Sequence, residues 1–160
     1  MPASGKSTAG VLLAKYIGYD YVDVDLIIQR THGAFLSEII AKKGAEKFID
    51  AEQNCILKIS CDKSVIATGG SAVYGERAMA HLKTLGKVVY IKVEYETLAE
   101  RLKGKDIFSR GVVMKKRGET LKELFDERAP LYEKYADVRV DCTHLNLEQT
   151  VLTIIEAVKN

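Results

Sequence analysis

Hydrophobic positions recur along this chain with two periods. Over residues 6–17, Val11, Leu12, Lys15 and Tyr16 alternate faces at the 3.6-residue period, which predicts an amphipathic helix. Gly18 stands where a glycine ends one. A short apolar run from Tyr19 to Val24 predicts a strand, and helical patterns follow at 25–31, 36–43 and 46–60. Ser64 to Ala67 reads as a second strand. Lys87 to Val93 reads as a third, solid with β-branched and aromatic residues at Val88, Val89, Tyr90 and Ile91. Helices are predicted at 76–84 and 95–103. Thr120 with Glu123 three residues on forms a capping box for a helix running to Lys134. Val138 to Val140 is a short last strand, and Asn146 with Gln149 opens a terminal helix. Strands alternating with helices predict an α/β fold, a parallel sheet covered on both faces, in one domain over residues 1–160.

Composition narrows the function classes. A chain of 160 residues, 47% hydrophobic and 29% charged, suits one compact domain and excludes disorder and fibres. No apolar run approaches the roughly 20 residues of a membrane span. No signal-peptide pattern opens the chain, so a cytoplasmic setting without membrane is expected. Cys55, Cys61 and Cys142 are too widely spaced for a disulfide framework or zinc site and read as small apolar residues. His32, His81 and His144 are scattered, and Tyr132 and Tyr135 read as core packing. Net charge is +2, which demands no nucleic-acid partner. The stretch 101–118 does hold seven Lys/Arg against one Asp. Without aromatics beyond Phe108 it resembles no nucleic-acid platform, and Lys115, Lys116 and Arg117 read as a solvated basic face. A monomer is expected.

The candidate chemistry begins at Ser4-Gly5-Lys6-Ser7-Thr8, the back half of a phosphate-binding loop at a helix start. Gly5 lets backbone N–H groups turn toward phosphate, and the helix N-terminus adds partial positive charge. Lys6 reaches β- and γ-phosphate oxygens, and the Ser7 hydroxyl suits magnesium. Nucleotide binding is the expectation. The full motif asks for a glycine five residues before Gly5 and for a strand leading into the loop. Both fall ahead of Met1, so about ten further residues are expected upstream. A chain that begins here and binds nucleotide without catalysis is the alternative.

Together with Asp23-Val24-Asp25, Ala67-Thr68-Gly69-Gly70, Arg110 in the basic stretch, and Glu127-Arg128-Ala129-Pro130-Leu131-Tyr132, this loop makes the chain resemble shikimate kinases over essentially its whole length. The resemblance implies a P-loop-type five-stranded parallel sheet of order 2-3-1-4-5 whose first strand is missing here. It also implies a substrate-binding subdomain at about 25–61 and a lid at about 104–119. The implied reaction moves the γ-phosphoryl of ATP to a hydroxyl of shikimate or of another small hydroxylated metabolite. Lys6, Asp25 and Arg110 are the implied catalytic residues, with Asp25 accepting or orienting the acceptor hydroxyl. Ser4 to Thr8 and the lid's Arg110 are implied to bind ATP, and Ser7 and Asp23 to hold Mg2+, Asp23 through water. Asp25, Gly69, Gly70, Ser71 and Arg128 are implied to bind substrate, Arg128 by gripping its carboxylate.

The chain departs from the family pattern at three places. Ile49 follows Phe48 where an arginine is usual, Ser71 stands for a third glycine, and the lid reads Arg110-Gly111-Val112-Val113 in place of Arg-Pro-Leu-Leu. A lost charge-assisted hydrogen bond at Ile49 is worth roughly 1.5–3 kcal/mol. Carboxylate recognition is therefore expected to rest mainly on Arg128.

Overall fold

The computed structural model describes residues 1–106, 111–116 and 118–159. Helix α1 (Lys6–Ile17) is followed by strand β1 (Asp20–Asp23) and helices α2 (Val24–His32), α3 (Leu36–Lys43) and α4 (Ala45–Ile56). Strand β2 (Ser64–Ala67) leads through a 3₁₀ turn (Ala72–Tyr74) into α5 (Glu76–Leu85). Strand β3 (Val89–Lys92), α6 (Tyr95–Leu102), α7 (Leu121–Tyr135), β4 (Val138–Asp141) and α8 (Leu147–Lys159) complete the order. Among the described residues no helix is long and apolar enough to cross a membrane.

Local chemistry sets these boundaries. The first strand is shorter than its apolar run because Asp23 turns the chain directly into α2, its side chain accepting a hydrogen bond from the Leu26 N–H. Helix α4 stops at Ile56, short of the predicted residue 60, where the Lys58 and Ile59 N–H groups bond three residues back. Thr120 and Glu123 cap α7 reciprocally, and Asn146 and Gln149 exchange bonds at the start of α8. Helix α7 continues through Pro130.

Among the described residues, four parallel strands form two two-stranded sheets. β1 pairs with β2, Asp20 opposite Ser64 and Asp23 opposite Ala67, and β3 pairs with β4, Val89 opposite Val138. One apolar core, with Val24, Ile28, Phe48, Ile56 and Met79, unites α2–α5 beneath the first pair. A second, with Val93, Leu98, Leu124, Val140 and Ile154, lies around the other pair, and Tyr132 packs on both. β1 and β2 both point their C-terminal ends at the loop preceding α1, where ligands gather in parallel sheets.

Candidate active site

The phosphate loop is built from backbone conformation. Ala3 and Gly5 take left-handed φ values of 59° and 88°. At Gly5 a Cβ would meet no atom within 4 Å, so dihedral freedom alone calls for glycine there. No side chain caps the start of α1, which leaves its first-turn N–H groups for an anion. The Lys6 ammonium donates to the Met1 carbonyl at 2.9 Å, the Ser4 hydroxyl to the same oxygen at 2.9 Å, and Arg101 to the Ala3 carbonyl at 3.2 Å. Burial lowers the Lys6 pKa, and the Asp25 carboxylate opposes that shift. Thr8 is exposed.

Across from the loop, Asp23 ends β1 and Asp25 sits in the first turn of α2. Asp23 Oδ1 caps α2, while its Oδ2 accepts from the Tyr21 hydroxyl at 3.2 Å. The pKa of the same phenol is pushed up to about 12, chiefly by burial and by Asp23, with the nearby Ser7 hydroxyl opposing the rise. Burial raises the Asp25 pKa, the Asp23 charge adds to the rise, and Lys6 opposes it. Ser7 and Asp23 are hard oxygen donors drawn together through one side chain. Among the described residues no group of three or more His, Cys, Asp or Glu is gathered to hold a metal. Few protein ligands, both oxygen, fit magnesium, which keeps water and phosphate in its shell.

One cavity of about 250 Å³ gathers part of the predicted set, while Ser4, Gly5, Thr8 and Asp23 do not line it. Lys6, Ser7, Asp25, Gly69, Gly70, Ser71 and Arg128 line it, with Val112 and Val113 closing one side. The Arg128 guanidinium is 1% exposed; its Nε donates to the Tyr74 hydroxyl at 3.1 Å and Nη2 to the Val113 carbonyl at 2.6 Å. Its remaining nitrogen, Nη1, faces Gly70, where a Cβ would lie 3.0 Å away. Gly69 is squeezed harder, since a Cβ there would collide with Glu52 Oε1 and reach Asp25 Oδ1 at 3.0 Å. The Ser71 hydroxyl is committed to Glu52 Oε2 at 2.5 Å. Arg110 and Arg117 lie outside the described residues.

Three side chains of the site have no functional role in the sequence reading. Glu52 on α4 is 1% exposed, and its Oε1 has no hydrogen-bond partner among the described residues; burial pushes its pKa up to about 7, against the Ser71 bond. The Tyr132 hydroxyl donates to the Gly70 carbonyl at 2.7 Å, so this residue is more than packing. Lys115 pairs with Glu127 at 2.9 Å and sits 3.6 Å from the Tyr74 ring centroid, which distinguishes it from a purely solvated cation. Helical spacing from Phe48 would have placed Glu52 on the inner face of α4. Its raised pKa comes from burial in the folded core, and its partner lies 19 positions away.

A family model described as shikimate kinase matches residues 2–159. The chain belongs to the shikimate kinase family. A shikimate kinase of Thermodesulfovibrio yellowstonii is 37% identical over 155 residues, covering 96% of this chain and 88% of that relative. The crystal structure of the Aquifex aeolicus shikimate kinase superposes with a TM-score of 0.83 at 32% identity, covering 99% of this chain and 92% of that one. The shikimate kinase of Acinetobacter baumannii, solved in complex with shikimate, gives 0.80 at 25% identity over 96% of this chain and 86% of that one. As a shikimate kinase the chain is an ATP-dependent phosphotransferase.

Proposed function

We propose that this chain transfers the γ-phosphoryl group of ATP to a hydroxyl of shikimate, with Lys6, Asp25 and Arg128 as its working side chains. The observation that supports this most is their convergence. A phosphate-loop lysine, a carboxyl with a raised pKa and a buried guanidinium line one small cavity.

Asp25 accepts the acceptor hydroxyl's hydrogen bond and takes its proton as the oxygen attacks the γ-phosphorus. The new O–P bond forms while the bond to the β–γ bridging oxygen breaks, and that electron pair leaves with ADP. The raised pKa makes Asp25 a better proton acceptor than a solvated aspartate. Lys6 and the uncapped amides of α1 offset charge gathering on the phosphate oxygens. Ser7 and Asp23 would hold the magnesium ion, which neutralises phosphate charge when bound. Arg128 binds the substrate carboxylate through Nη1, and full two-pronged contact displaces the Val113 carbonyl from Nη2. Gly69 and Gly70 admit the substrate against the backbone. Arg110 is the lid arginine of this reading. The pairing of β1 with β2 and of β3 with β4 is what sheet order 2-3-1-4-5 gives for its outer strands, and it supports that order.

Asp25→Asn tests the assignment. Shikimate-dependent ADP formation is expected to fall by about 10²–10⁴, while calorimetric affinity for Mg·ATP holds. Retention of the rate would remove Asp25 from the chemistry.

A further inference from the structure

The Ser7 hydroxyl presents a problem that the motif alone does not solve. A serine oxygen that faces a cation through its lone pairs has its proton turned to another acceptor, and a protein acceptor fixes that orientation better than water does. In this structure the Tyr21 phenol lies near Ser7, and its oxygen has lone pairs that can take that proton. The phenol in turn gives its own proton to Asp23 Oδ2 at 3.2 Å. Asp23 is held from its other side too, Oδ1 taking the Leu26 N–H at 3.2 Å. Tyr21 thus stands between Ser7 and Asp23, its own proton committed to Asp23 and its lone pairs turned to the Ser7 side.

The fold provides a seat for this phenol. Tyr21 and Asp23 are two apart on β1 and share a face. The Tyr21 ring rests on α1 at Gly10, where a Cβ would come within 3.0 Å of Cε2 and 3.7 Å of Cδ2. Glycine inside a helix costs roughly 0.5–1 kcal/mol relative to alanine. Here it makes the room that brings the hydroxyl between Ser7 and Asp23. Phenylalanine would fill the same seat and lack only the hydroxyl.

We infer that Tyr21 is a positioning residue that orients Ser7 and Asp23 toward the divalent cation carried by bound nucleotide. The inference rests on the assignment of Ser7 and Asp23 proposed above. Groups of this kind typically change metal affinity by 10–100-fold without touching the metal.

The test is Tyr21→Phe in the full chain, with Mn2+ and ADP as probes. Electron paramagnetic resonance of free Mn2+ reads metal affinity in the presence of ADP, and calorimetry reads metal-free ADP affinity. The expected result is about a tenfold weaker Mn2+ affinity, with metal-free ADP affinity and thermal midpoint unchanged. In the Ser7→Ala background, Tyr21→Phe is expected to add much less than it does alone, because the two act as a unit. Wild-type Mn2+ affinity in Tyr21→Phe, with Ser7→Ala weakened, would overturn the inference and leave the Ser7 assignment standing. Wild-type affinity in Ser7→Ala as well would overturn both.

Discussion

At the scale of single residues, the site divides into groups whose chemistry fixes their identity and groups fixed by distant contacts. Lys6 was legible in the sequence through the phosphate-loop motif, and Asp25 and Arg128 as positions marked by family likeness. Glu52, Tyr132 and Tyr21 were not, because their meaning lies in partners set by folding, such as Gly70 for Tyr132 across 62 positions. Arg128→Lys removes the guanidinium's paired geometry. Its expected outcome is about a tenfold or larger rise in KM for shikimate with KM for ATP unchanged, read by steady-state kinetics. Glu52 gives a pH prediction. Its folded pKa of about 7 stands above the ordinary 4.5, so the folded state holds the proton more tightly than the unfolded one. Stability contributed this way is present at low pH and falls as pH rises between those values, by up to about 3 kcal/mol. Glu52→Gln is expected to flatten that fall, as measured by urea unfolding at pH 5 and pH 8. An unchanged difference between the two would mean that Glu52 is not the group responsible.

At the scale of elements, the periodic pattern located every helix and strand of the described residues except the 3₁₀ turn at Ala72–Tyr74, which three residues are too few to announce. Boundaries slipped where a side chain intervened, as when Asp23 ended β1 by capping α2. Capping at α7 holds the element that carries Arg128, so Thr120→Ala is expected to cost about 1 kcal/mol of stability. Helix α4 ties together two oddities. Ile49 lies one turn before Glu52, and neighbours three apart share a helix face. An arginine at 49 would share that face with the Glu52 carboxyl oxygen that has no partner among the described residues. Ile49→Arg is therefore expected to lower KM for shikimate by about tenfold and to bring the Glu52 pKa down, visible as a flatter stability–pH curve. A KM no lower than that of the parent would show that position 49 does not address the substrate.

At the scale of the whole molecule, two parallel strand pairs and two apolar cores meet around the phosphate loop, and the cavity forms between them. The parallel α/β class was readable from alternation alone. The convergence of Lys6, Asp25 and Arg128, which come from α1, α2 and α7, was not, because no local pattern reports which loops share a cavity. It entered the sequence reading through family likeness. Convergence on one cavity is also what makes the activity selective, since phosphate and carboxylate must be held at once for the acceptor hydroxyl to reach Asp25. The direct measurement is coupled ADP release with Mg·ATP, comparing shikimate with its methyl ester, which keeps the hydroxyls and removes the carboxylate charge. The expected result is turnover with shikimate and a kcat/KM for the ester lower by at least about tenfold. Equal rates with both, or no ADP release with shikimate, would contradict the account.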